Sequence, residues 1–191
     1  MDRPPDPGTE HDDHRSSGPE GPVTVATVAE TQRQPVPRND AGELDTAVAF
    51  LTFVRQCVMK KTDDLSDEQL RRVLVPSGTS LLGLVHHLTV AERYWFGHYL
   101  IGSFNDEEWD FGMTIPAGRT TSQIMDDYVA AIAESDKAIE AVGDPSALAV
   151  GSFDGESRTL RWVLAHMTGE TARHAGHADI LREQIDGTTG R

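Results

Sequence analysis

Residues 159–183 read TLRWVLAHMTGETARHAGHADILRE. Leu160, Val163, Leu164 and Met167 recur at spacings of three and four, the period of an amphipathic helix. The same stretch carries His166, Glu170, His174 and His177, followed by Leu181, at helical steps that place all five on one face. The apolar residues, Ile180 among them, are expected to flank this stripe on its buried side. Polar groups on a core-facing helix are costly unless something satisfies them. A metal ion would do so; so would a buried hydrogen-bonded network, or exposure of the stripe to solvent.

Helix geometry restricts the metal reading. His166 and His177 are separated by about 16 Å along the axis at roughly 1.5 Å per residue. One ion with ligands at about 2 Å reaches only neighbours on the stripe. The pairs 166/170, 170/174 and 174/177 remain open, and a third ligand must come from another helix. The pair His86–His87 is the available source. Consecutive helical residues point about 100° apart, so at most one of the two faces the core. His87 shares its face with Leu84 and Ala91 and is the favoured ligand; His86, on a mixed face, is its rival.

Working outward, four long helices account for the apolar periodicity. The first is expected over about 40–61, with Leu44, Val48, Leu51, Val54 or Arg55, and Val58 inward. Ser66-Asp67-Glu68-Gln69 reads as a capping box opening a short helical turn. The second long helix spans about 79–101 and buries Leu81, Leu84, Val85, Leu88, Ala91, Trp95 and Tyr99. The third spans about 121–142, with Ile124, Tyr128, Ala131, Ile132 and Ile139 inward, and stops at Gly143-Asp144-Pro145. The fourth spans about 159–185 and stops at Asp186-Gly187. Between the second and third lies a long connection containing Trp109 and Phe111; ordered loops of such length are often functional. The fold class is all-α, a four-helix bundle.

Residues 1–38 are rich in Pro, Gly, Ser and acids and form an expected disordered tail, with His11 and His14 as bystanders. The folded domain is placed at 39–187, followed by a short tail over 188–191. The chain carries 17 basic and 31 acidic residues, a net charge of −14, which disfavours nucleic acid as a partner. No apolar run suggests a membrane span and no leader pattern is evident, so the expected location is the cytoplasm. The one cysteine, Cys57, excludes an intramolecular disulfide and a zinc–thiolate cluster and is expected in the core.

Three segments carry a family resemblance: SGTSLLGLVHHLTVAERYWF (77–96), TLRWVLAHM (159–167) and ETARHAGHADILREQIDG (170–187). Together they resemble the actinobacterial branch of the DinB-like superfamily, related to mycothiol-dependent maleylpyruvate isomerases and mycothiol S-transferases. The resemblance covers about 40–190. It implies an up-down-down-up bundle and a metal held by one histidine of the second helix and two ligands four apart on the last. On this chain those residues are His87, Glu170 and His174. It further implies that His166, His177 and Asp179 either orient the ligands by hydrogen bonding or are structural, with His177 as a candidate proton carrier.

Two histidines, a glutamate and an open position suit catalytic zinc, or the facial triad of an Fe(II) enzyme. The resemblance favours zinc, with nickel or iron as alternatives, and mycothiol as cosubstrate. The preferred activity is thiol transfer, in which metal coordination lowers the thiol's pKa and the thiolate attacks an electrophile. Trp95, Trp109 and Phe111 are candidate pocket walls, and Arg93, Arg158 and Arg173 candidate anchors for an anionic substrate. The alternatives are a mycothiol-dependent isomerase and a non-catalytic metal-binding or ligand-sensing bundle, the latter closed by His177 or Asp179 as fourth ligand. The expected partners are a small thiol and an electrophile; a homodimer is left open.

Overall fold

The computed structural model describes residues 34–103, 108–152 and 155–190. Most of the expected N-terminal tail, including His11 and His14, lies outside the described residues. The elements in chain order are α1 (Glu43–Lys60), α2 (Asp67–Arg71), α3 (Leu81–Glu92), a π-helical continuation of α3 (Arg93–Leu100), α4 (Thr121–Val142) and α5 (Leu160–Asp186). Among the described residues there is no β-strand, only an isolated bridge between Leu148 and Thr159. The protein is an all-α bundle of four long helices.

Local chemistry sets the helix ends. Ser66 and Gln69 form the expected capping box at the start of α2, and Thr120 and Gln123 form a second at the start of α4. Ser80 and Thr159 accept from the backbone N–H of Gly83 and Trp162, capping α3 and α5. Gly143 and Gly187 end α4 and α5 at φ of 65° and 77°, a left-handed conformation that L side chains resist. No helix is long and apolar enough to cross a membrane among the described residues.

Polar contacts between helices fix their directions. Glu43, at the start of α1, pairs with Arg161 at the start of α5. At the other end, Arg182 donates to the carbonyls of Lys61 and Asp63 at 3.1 and 2.6 Å, so α1 and α5 run parallel. The second helix opposes them: His87 meets Glu170, while Trp95, further along, meets Trp162 and His166. Its early residues Leu81–Leu88 pack with Ile124 and Tyr128 of α4, and Phe96 and Tyr99 with Ala138 and Ile139. The second and third long helices are therefore parallel to each other, giving up-down-down-up. A parallel pair needs a crossover, which the long segment after Leu100 supplies.

The apolar core has two clusters. One gathers Leu51, Val54, Phe96, Tyr99, Leu160 and Val163 near the beginning of α5. The other gathers Val58, Leu81, Leu84, Leu88, Tyr128 and Leu181 near its end. Polar side chains lie at the intermediate level. Arg55 and Glu92 form a bidentate pair at 2.7 and 2.6 Å, and Arg55 also reaches Asp136 at 2.8 Å.

Two expectations are corrected. The second long helix is not α-helical throughout: its last two turns, from Arg93, are π-helical, a form that concentrates at functional sites. Ile180 is not on the buried side of α5 but 55% exposed. It shares its face with Arg173, Gly176 and His177, all exposed, and the adjacent Leu181 takes the inward place.

Candidate metal centre

Of the open ligand pairs on α5, the structure brings 170/174 to the histidine of α3. His87 Nε2 lies 3.2 Å from Glu170 Oε1, and His174 Nε2 lies 3.0 Å from the same oxygen. One donor atom from each residue falls within 4.8 Å of the other two. The side chains of His87, Glu170 and His174 are 10, 18 and 5% exposed, so the cluster is sheltered but reaches solvent on one side. His86 is turned away into a half-buried position where burial lowers its pKa.

The second contact of His87 decides how the cluster is read. Its Nδ1 lies 2.7 Å from the backbone carbonyl of Phe111. A carbonyl only accepts, so Nδ1 carries the proton and donates it. In the neutral ring, Nε2 then presents a lone pair to the lone pairs of Glu170 Oε1. This contact is unfavourable unless a positive charge lies between them or on the ring. His174 can donate from Nε2 to the shared oxygen, and its Nδ1 is buried without a hydrogen-bond partner. A cation about 2 Å from each donor would separate the donors by about 3.3 Å in a tetrahedral arrangement. The observed 3.2 and 3.0 Å are close to that spacing. Two nitrogens and one carboxylate oxygen suit a borderline divalent ion, so the residues present fit the metal that the resemblance implies.

Electrostatics favour the ligand-competent forms. Burial pushes the Glu170 carboxyl up, but the neighbouring His87, His174 and Arg173 outweigh it and hold the pKa below the ordinary value. Burial is the largest influence on His174 and leaves its imidazole below the ordinary value despite Glu170, so the neutral ring is favoured. Arg173 Nη1 lies 3.3 Å from Glu170 Oε2, but its side chain is 67% exposed and the pair is screened by water.

The other candidate residues are not gathered at the cluster in the expected way. His166 is stacked on Trp162, with centroids 5.1 Å apart and planes 6° off parallel, and packs against Trp95 at 4.5 Å. Asp179 pairs with the buried Lys61 at 2.6 Å, in a contact that ties α5 to the end of α1. His177 is exposed, its ring edge-on to His174 at 5.4 Å. Of the two expected roles, ligand-orienting or structural, His166 and Asp179 take the structural one, through stacking and an ion pair. Arg158 pairs with Glu156 at 2.8 Å, and Arg93 lies 3.8 Å from both Asp127 and Glu134. Phe111 meets His87 edge-on at 6.4 Å, and Tyr94 bridges Phe111 and Trp109 at 5.2 and 5.4 Å, forming an aromatic wall beside the cluster.

Residue types alone do not disclose the group that orients His87, because it is a main-chain carbonyl. Its approach depends on Gly83, one turn before His87. A Cβ at Gly83 would lie 2.3 Å from the carbonyl oxygen of Met113. The missing side chain lets the crossover lie against α3, and two residues earlier the carbonyl of Phe111 meets His87. A glycine inside a helix, costly for helix formation, was the signal available.

No curated protein matches the chain. The family model of the mycothiol S-transferases matches residues 46–187, which includes α2–α5 and nearly all of α1. The chain belongs to the mycothiol S-transferase family.

Proposed function

We propose that residues 39–187 act as one catalytic unit, a metal-dependent transferase that joins the sulfur of a low-molecular-weight thiol, mycothiol, to an electrophilic carbon. The observation that carries this reading is the opposed lone pairs of His87 Nε2 and Glu170 Oε1, an arrangement that a cation between them would relieve. His87, Glu170 and His174 would hold a divalent ion, with zinc favoured by the resemblance and compatible with the donor set. Such an ion supplies Lewis acidity that makes a coordinated thiol far more acidic.

The chain's own residues account for the rest. Cys57 is buried, and burial pushes its thiol pKa up, so the nucleophilic sulfur comes from a second molecule. The Phe111 carbonyl fixes the tautomer and orientation of His87. His177, exposed beside His174, is placed to pass the thiol's proton to solvent. Phe111, Tyr94 and Trp109 form an apolar wall against which an electrophile can lie while water is kept from its reacting carbon. As the sulfur–carbon bond forms, the leaving group departs with its electron pair.

A closed, purely structural metal site needs a fourth protein ligand. Asp179 is engaged with Lys61, and the ligand group found among the described residues has three members. This supports an open position over a structural staple. The test is turnover of mycothiol with a haloalkyl model electrophile by zinc-loaded protein. Thiol consumption is expected, with loss of at least about a hundredfold in Glu170→Gln at unchanged helicity. Metal-loaded wild type that consumes no thiol overturns the proposal.

A further inference from the structure

A cavity of about 240 Å³ lies between the segment leading into α3 and the outer half of α5. Its lining is Val75, Ser77, Thr79, His177, Ile180 and Leu181. Val75, Ser77 and Thr79 alternate along one segment, and the hydroxyls of Ser77 and Thr79 lie 3.0 Å apart. Thr79 also contacts Met113 Sδ at 3.6 Å, so the crossover that orients His87 braces this wall as well. The His177 ring stands edge-on to the ligand candidate His174 at 5.4 Å, leaving the cavity one imidazole away from the cluster.

The lining chemistry selects the ligand. It contains no Asp, Glu, Lys or Arg. Two further cavities among the described residues differ: one carries Arg93, Glu134 and Lys137, the other Asp45, Asp136 and Glu140, and neither is lined by a residue of the cluster or by His177. Two hydroxyls and an imidazole both donate and accept hydrogen bonds, as sugar hydroxyls do. Val75, Ile180 and Leu181 offer aliphatic surface to the C–H faces of a ring. Ile180 is 55% exposed at this place, an apolar residue facing outward where a ligand would cover it.

We infer that this cavity is the subsite for the neutral, polyhydroxylated end of the thiol cosubstrate, with the sulfur directed past His177 to the cluster. The inference rests on the transferase reading above. Mycothiol carries its cysteine on a sugar–cyclitol unit and matches that description; a thiol without such a unit does not use the cavity.

The test is calorimetric titration of the zinc-loaded protein with mycothiol and, in parallel, with N-acetylcysteine. In Ser77→Ala/Thr79→Val, mycothiol affinity should fall about tenfold, the loss of about two modest hydrogen bonds, with metal content retained and N-acetylcysteine affinity unchanged. Ile180→Ser, at an exposed position, should weaken mycothiol in the same selective way and serves if the double variant loses its metal. Equal mycothiol affinity in wild type and variants, or equal weakening of both thiols, overturns the subsite and leaves the transferase reading standing. Wild type that binds no mycothiol overturns both.

Discussion

Two polar clusters among the described residues, around Arg55 and around Glu170, are built on opposite principles. Around Arg55, the donors and acceptors match. The guanidinium makes two bonds to Glu92 and one to Asp136, and the Arg55 and Glu92 side chains are 3 and 0% exposed. Burial pulls the Arg55 pKa down, but Glu92 and Asp136 outweigh it and leave it raised. Around Glu170 the acceptors outnumber the donors: two imidazoles converge on one oxygen, one of them with its proton already committed to Phe111. The first cluster is complete as it stands. The second leaves a place that a cation would fill. Burial of polar groups by itself therefore says little about function; the informative quantity is the balance of lone pairs and protons.

This contrast can be broken from either side. The largest effect is expected at the closed cluster. Glu92→Ala leaves a buried guanidinium with only the half-exposed Asp136, at a cost of about 3–5 kcal/mol. Urea denaturation should show that loss, while the fraction that remains folded still takes up metal. A variant as stable as wild type would show that the pair is not structural.

The second effect separates metal affinity from folding. Gly83→Ala places a Cβ against the Met113 carbonyl and displaces the crossover from α3. The Phe111 carbonyl then no longer holds His87, and metal affinity should fall about 10–100-fold. Competition with a chromogenic chelator measures it; unchanged affinity would remove Phe111 from the account.

The smallest effect is in the pH dependence. His166 and His174 both have pKa values lowered by burial, so each binds a proton more readily in the unfolded chain than in the folded one. Their contribution to stability is full above the ordinary imidazole value of about 6.5 and is lost as pH falls through the folded values. Urea midpoints of metal-free protein should be flat from about pH 8 to about pH 7 and then decline toward about pH 5. A rising midpoint on acidification would contradict the assigned environments.

The fold was largely legible because its signals are local. Apolar spacing located four helices, and Ser66, Gly143 and Gly187 marked ends that the structure keeps. Cys57 is buried as expected. Spacing alone left three ligand pairs on α5, the resemblance pointed to Glu170 and His174, and the structure places those two with His87. What escaped the sequence depends on neighbours in space. A π-helical segment leaves apolar residues at spacings that an α-helix also allows, so Trp95 and Tyr99 did not reveal it. Ile180 was placed inward by its residue type, although Leu181 occupies the core. The partner of Asp179 is a lysine from the far end of α1, and the partner of His87 is a main-chain oxygen, which no residue type encodes.

The most direct test of the central claim is elemental analysis of the protein after loading and desalting, beside His87→Ala and Glu170→Ala. The account predicts one divalent ion per wild-type chain and affinity reduced more than about a hundredfold in each variant, at unchanged helicity. Wild type that retains no divalent metal under any loading condition, or variants that retain it fully, would contradict the assignment of His87, Glu170 and His174.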